Sequence, residues 1–195
     1  MLRFRILQHW TVRLLRETEG SALLEFAIVL PLLMVFIVGI FDFSGAFNQK
    51  QKIEQAAQEG AIIAGAQPMS DIQTVHNNPD SLQPVVTAVF NSLAASGVVP
   101  NGTCNPPGTA SHSASTLKWS YKISGCPDNL VIVIDRGWVS PTATFASPTT
   151  AVGTIVKVTY PYHWRFNSVI QLLFPDAKYS PITNLTESAT VHNQM

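Results

Sequence analysis

Gly20 to Phe47 reads GSALLEFAIVLPLLMVFIVGIFDFSGAF, and this stretch decides the fold. From Ala22 to Phe41 the run carries a single charge, Glu25. At 1.5 Å per residue, about 20 helical residues cover roughly 30 Å, the hydrocarbon thickness of a bilayer. A transmembrane helix is expected, with its two polar flanks on opposite sides of a membrane. A charge in lipid costs roughly 2.5–3.5 kcal/mol on insertion scales, so Glu25 needs either a snorkelling route or a function. It lies only about one turn inside the apolar run, close enough to snorkel. Pro31 removes one backbone hydrogen bond and frees the Ala27 carbonyl, which predicts a kink or local melting.

Outward from the span, Met1 to Glu19 carries Arg3, Arg5, Arg13 and Arg16 against Glu17 and Glu19. Arginines before a span hold that end in the cytoplasm. This basic leader, residues 1–20, is either an amphipathic helix on the inner leaflet or an unstructured charged flank. On the other side, Gln49 to Ala66 holds strong helix formers and no proline, so the helix is expected to continue as a stalk to residue 66. A helix from Ser21 to Ala66 would be roughly 70 Å long. Ala56, Gly60 and Ala64 repeat every fourth residue, and so do Ala57, Ala61 and Gly65. Small residues at that spacing make a smooth stripe for close packing. The stripe suits a neighbouring helix or the chain's own globular domain, and one helix can serve both.

Residues 67–195 leave about 130 residues for one α+β domain outside the cytoplasm, enough for a core. Met69 to Pro79 reads as a linker. Leu82 to Ala95 has apolar residues at helical spacing, with Ser81 as a candidate N-cap, Pro84 in the first turn and Gly97 near the end. Pro100 to Thr116 is a loop by composition. Strands are expected at Leu117–Ile123, Leu130–Asp135, Trp138–Phe145 (weakened by Pro141), Thr154–Tyr160 and Asn184–His192, the last as a closing edge. Asn167 to Phe174 is a candidate short helix. The resulting architecture is a long N-terminal helix followed by a small antiparallel sheet with one or two helices. Cys104 and Cys126 both follow the span and are expected to form a structural disulfide across the loop.

Charged residues make up only 12 % of the chain and its formal net charge is zero, which argues against nucleic-acid binding. The five histidines are scattered without metal-ligand spacing, so neither a metal nor a cofactor is expected. No nucleophile elbow, P-loop or dinucleotide fingerprint occurs, and no catalytic residue is assigned. An enzymatic role is not expected.

The word Gly20-Ser21-Ala22-Leu23-Leu24-Glu25-Phe26 resembles the processing site of type IV prepilins. The longer pattern of Glu25-Phe26-Ala27, Pro31, Gly39, Asp42 and the alanine-rich Gln55–Ala66 is similar to the TadE-like pseudopilins of the tight-adherence (Tad/Flp) pilus system. Tyr160-Pro161-Tyr162, Phe174-Pro175 and the Thr-Glu-Ser-Ala-Thr run near the end are similar to family members with less specificity. The position of Pro31 and the chain length suit the TadE-like group better than a major pilin.

That resemblance implies a pilin-like structural protein cut by a prepilin peptidase between Gly20 and Ser21. It also implies pairing of Glu25, the fifth mature residue, with the new N-terminal amine of a neighbouring subunit during assembly. Implied partners are the inner membrane, other pilin or pseudopilin subunits, the assembly platform and the peptidase. The implied location is the bacterial inner membrane, N-terminus cytoplasmic and C-terminal domain periplasmic, with entry into an extracellular pilus as a further option. One alternative is an unprocessed, single-span periplasmic binding or adhesion module. Another is a secreted enzyme whose signal peptide ends near Ala46.

Overall fold

The computed structural model describes residues 18–72, 78–100, 102, 104, 106, 108–112, 117–139, 152–166, 171 and 182–194. The leader up to residue 17, most of the expected Asn167–Phe174 helix and residues 140–145 of the expected Trp138–Phe145 strand lie outside these. Helix α1 runs Thr18–Ala66 and passes Pro31 without interruption, so the expected local melting does not occur. A 3₁₀ turn at Asp80–Leu82 leads into α2, Gln83–Ala95. Five strands follow: β1 Thr109–His112, β2 Lys118–Cys126, β3 Asp128–Val139, β4 Val152–His163 and β5 Ile182–His192. They form one antiparallel sheet in chain order, β1-β2-β3-β4-β5. The architecture is α+β, as the periodicities imply.

The chain divides into two compact units. One comprises residues 1–43 with 165–178, the other 44–164 with 179–195. A division by chain order at residues 20 and 66 therefore differs from the division by packing, because the second half of α1 belongs with the sheet.

Within the sheet unit the strands alternate cleanly, since successive side chains of a strand point to opposite faces. Trp119, Tyr121 and Ile123 of β2, Leu130, Ile132 and Ile134 of β3, and Val156, Val158 and Tyr160 of β4 are all buried on one face. Ile53 of α1 and Val85, Val86, Val89 and Leu93 of α2 complete the core. On the other face Lys122, Lys157, Thr186 and Ser188 are exposed. The Thr154–Tyr160 run, richest in β-branched residues, is the heart of β4, which pairs with β3 and β5.

α2 stops at a Schellman motif. Gly97 takes φ +71°, Gly97 N–H donates to the Ala94 carbonyl (3.0 Å), and Val98 N–H donates to the Leu93 carbonyl (2.9 Å). The Lys52 ammonium also donates to the Ser96 carbonyl (2.8 Å), tying that end to α1. Its start corrects the sequence reading. Leu82 occupies the N-cap and no side chain caps the helix. Ser81 is inside the 3₁₀ turn, and its backbone N–H donates to Asp71 Oδ2 (2.8 Å). β1 falls inside the stretch that composition marks as loop, pairing through Thr109–His112 with Trp119–Lys122. Trp138 and Val139 end β3 rather than begin another strand, after a register shift between Asp135 and Trp138. Cys104 and Cys126 are disulfide-bonded, with Cα atoms 5.0 Å apart. The bond fastens the Cys104 segment to the end of β2, and the buried Tyr160 hydroxyl donates to the Cys126 carbonyl (2.8 Å).

The closest approach in the core is at Gly60. A Cβ there would collide with Val89 Cγ2 and stand 3.3 Å from Val156 Cγ1. At Gly39, within the apolar run, a Cβ would meet nothing within 4 Å. Alanine gains roughly 1 kcal/mol over glycine from helix propensity, whereas overpacking costs about 1–3 kcal/mol. Gly60→Ala is therefore expected to lower the stability of the sheet unit by up to about 2 kcal/mol. Gly39→Ala is expected to leave it unchanged. Denaturant melts of the two variants in detergent, followed by tryptophan fluorescence, check this pair.

Candidate functional site

The functional candidates lie along α1, and their environment changes at Phe43. From Leu23 to Phe43 most of the large apolar side chains are exposed, up to 75 % at Phe41. They occupy every side of the helix, as a membrane span requires. This one N-terminal helix is long and apolar enough to cross a membrane, which makes it compatible with a membrane anchor.

Gly20 and Ser21 are exposed residues of α1. A Cβ built on Gly20 meets no atom within 4 Å. Nothing among its described neighbours demands a glycine there, in contrast to Gly60. The Ser21 hydroxyl donates to Glu25 Oε1 (3.2 Å), one helical turn on. Glu25 is exposed, and so is Phe26, at 62 %. The structure thus brings Ser21 and Glu25 together on one face of the helix, where a serine and a glutamate four apart belong.

Asp42 behaves differently. It closes the apolar run yet is only 6 % exposed. Its Oδ2 accepts a hydrogen bond from the Phe166 backbone N–H (2.6 Å). The acid is visible in sequence, but its partner is 124 residues away and no local pattern points to it.

The small-residue stripe is consumed inside the chain. Ala56, Ala57, Gly60, Ala61, Ala64 and Gly65 are all buried. Gly60 faces Val85 and Val89 of α2 and Val156 of β4; Gly65 faces Val191 and the His192 carbonyl of β5. Of the two readings open from sequence, the structure places the stripe on the chain's own domain. The helix that approaches closely is α2. Gly45 extends the same device, since a Cβ there would come within 2.7 Å of the Tyr162 hydroxyl oxygen.

Past the stripe, sequence reasoning missed a buried polar cluster. Arg136 of β3 is 0 % exposed and donates to the Gln67 carbonyl (2.8 Å) and the Pro68 carbonyl (3.2 Å), immediately beyond the end of α1. A cation suits the negative end of a helix dipole. Asp71 stands close enough for its charge to act on Arg136 and on the Tyr121 phenol. Burial pushes the Asp71 carboxyl up, but the Ser81 N–H and the Arg136 charge among other contacts outweigh it, and the carboxyl lies below its usual range. Burial first, and Asp71 second, push the Tyr121 phenol up. The only sequence signal for this cluster is an arginine two residues after Ile134, in phase with the buried alternation of Leu130, Ile132 and Ile134.

A hydrogen bond to a charged acceptor is worth about 1.5–3 kcal/mol. Asp42→Ala is accordingly expected to speed exchange of the Phe166 amide by at least about tenfold. Exchange of the β4 amides should stay unchanged. Hydrogen–deuterium exchange with peptide-level mass spectrometry reads both. Slow exchange at Phe166 in the variant would show that Asp42 does not hold that amide.

No match to this chain is found among curated proteins or among solved structures. A family does match: residues 20–61, from the glycine ahead of the apolar run to Ala61 in the buried stripe, fit the model of the TadE-like protein family, and it is this family that the N-terminal helix resembles.

Proposed function

We propose that the chain is a minor pseudopilin-type structural component of a Tad/Flp-type pilus assembly machine, processed by a prepilin peptidase after Gly20. The observation that carries this reading is the pairing of two facts. The TadE-like match begins at Gly20, and Gly20 is a glycine that no described neighbour requires. A protease cleft that receives backbone accepts a glycine at the start of that match.

α1 would be held in the bacterial inner membrane, with residues before Gly20 in the cytoplasm and the sheet unit outside. The peptidase would have to open the helix around the Gly20–Ser21 bond. Cleavage would leave a new ammonium at Ser21 and the Glu25 carboxylate near the same membrane surface. An acid against lipid gains from a cation, and the amine of a neighbouring subunit would supply one without another side chain. The proposed partners are other pilin or pseudopilin subunits, the assembly platform and the peptidase. The protein's part would be structural rather than enzymatic.

A second reading, an unprocessed single-span periplasmic binding or adhesion module, draws on the placement of the Gly20–Ser21 bond inside regular helix. Mature size separates the two. Gly20→Val is expected to block cleavage and leave a protein heavier by a leader of about 20 residues. Glu25→Gln keeps the shape and lowers the cost of residing in lipid. It is expected to be cut and membrane-stable yet defective in piliation, and Glu25→Leu should behave alike. Gel mobility beside a pilus assay in a null background reads all three. Wild-type chain that is never cut would remove the prepilin reading, and wild-type piliation by Glu25→Gln would remove the amine-pairing step.

Topology is a separate expectation. Protease added to spheroplasts should digest the sheet unit while the leader side stays protected. Protection of the sheet unit would overturn the orientation.

A further inference from the structure

The sheet has two unlike edges. β1 is four residues long, whereas β5 pairs with β4 over Ile182–His192 without a register shift. Edge strands are ordinarily blunted by shortness, lysine, proline or a bulge. From Asn184 to His192 the sequence NLTESATVH holds no lysine and no proline, and its register carries no bulge. The Asn193 N–H donates to the Val152 carbonyl (3.1 Å), which fixes the phase of the ladder. Odd-numbered residues of β5 direct their backbone groups to β4. Asn184, Thr186, Ser188 and Thr190 therefore direct theirs away from the sheet. Among the described residues no strand pairs with that side. Next to it runs a groove of about 220 Å³ lined by Gln58, Ala61 and Ile62 of α1 and Ala189, Thr190 and Val191 of β5. Ile62 is 66 % exposed although it stands beside the core helix face.

We propose that this edge is a strand-addition site for an extended segment of a separate polypeptide. Its backbone pairs with Asn184–Thr190, and one aliphatic side chain lies in the groove against Ile62. The chemistry of the edge selects the occupant. Outward N–H and C=O groups repeating at every second residue are satisfied together only by another extended backbone, and a small apolar notch beside them takes a single side chain.

A second copy of this chain fits poorly. β5 runs in the same direction as the Ser44–Ala66 part of α1. Gln49 Nε2 donates to the Pro161 carbonyl opposite Asn184, Lys50 pairs with Glu187 (3.3 Å), and Gly65 packs on Val191. Antiparallel pairing of two β5 edges would turn the Ser44 ends of the two helices in opposite directions, whereas chains anchored in one bilayer need them alike. A symmetric parallel pair fails as well. Each residue would bond to the neighbours of its counterpart, and those neighbours already face β4.

A free strand escapes the anchor, so a labelled peptide with the sequence Asn184–His192 is a usable probe. Added antiparallel with Ser188 opposite Ser188, it sets Glu187 against Ala189 and Leu185 against Val191. No like charges then face each other, and its leucine enters the groove. The register centred on Glu187 would oppose two carboxylates.

Fluorescence anisotropy with the detergent-solubilised full chain should show saturable binding. Ser188→Pro in the chain deletes an outward N–H and leaves the β4 ladder intact, as proline on an edge strand permits. It should weaken binding at least tenfold with an unchanged melting transition. Ile62→Asp should do the same from the groove side, and it carries the test alone if Ser188→Pro fails to fold. Replacing the peptide's leucine by aspartate should also abolish binding. Absence of saturable binding up to about 1 mM, or binding that survives Ile62→Asp, would overturn the proposal. Oxidative dimers of Ser188→Cys chains in the membrane would place a second copy on the edge and overturn the choice of partner.

Discussion

The sheet unit depends on how closely α1 can lie on the sheet and α2. A helix carrying leucine or phenylalanine toward its neighbours stands about 8–10 Å from them. α1 instead presents Ala56, Ala57, Gly60, Ala61 and Ala64, and the bulk comes from the other side, from Val85, Val89, Val156 and Val158. This division of volume has a reason in the rest of the helix. One continuous helix exposes large apolar side chains over its first half, as a membrane anchor would, and meets a protein core over its second. Lipid accepts large apolar side chains on every side. A packed core accepts only what fits, at crystal-like density. The change from Leu, Ile and Phe to Ala and Gly along α1 is the sequence record of that change of surroundings.

The far end of α1 raises a different problem, because the last carbonyls of a helix have no helical partner; the Gln194 N–H donates to the Gly65 carbonyl (3.0 Å). Just past the helix, Arg136 fastens the chain from β3 with two donated bonds, to the Gln67 and Pro68 carbonyls. A buried guanidinium is costly unless its donors are used and a counter-charge is near. Asp71 is that counter-charge, and Ser81 in turn fixes Asp71. The cluster therefore joins the end of α1, the 3₁₀ turn before α2 and the middle strand of the sheet. The Cys104–Cys126 bond is the covalent counterpart, holding a segment with little core of its own to the end of β2.

What was legible in the sequence follows from what is local. The alternation of Trp119, Tyr121 and Ile123, the run Leu130–Ile134 and the β-branched Thr154–Val158 each carry their strand in their own side chains. The spacing of Leu82, Val85, Val86, Val89 and Leu93 does the same for α2. β1 was not legible, because Thr109–His112 is polar and becomes a strand only by pairing with β2. The N-cap was misread because Asp71, ten residues earlier, takes the Ser81 N–H and draws that serine into a turn. Arg136 and Asp42 share this property. Their residue types are visible, but their roles reside in partners 68 and 124 residues away.

The small-residue stripe is the instructive intermediate case. A four-residue spacing of alanine and glycine states that something comes close and is silent about what. The globular core decides it, since Val85 and Val89 of α2 already occupy the surface that another subunit's helix would need. Association with other chains must then use surfaces the core leaves free. Before Phe43 that surface is the apolar side of α1, where shape discriminates little among lipid and helices. Beyond Phe43 the surfaces left free among the described residues include the polar face of the sheet and its long edge. A polar face of threonine, serine and lysine binds weakly unless a partner is built to match it. An open edge binds through backbone, which any extended chain carries. Specificity in such a protein has to come from what stands beside the edge, and α1 sets that too, by leaving Ile62 exposed where its small residues turn inward.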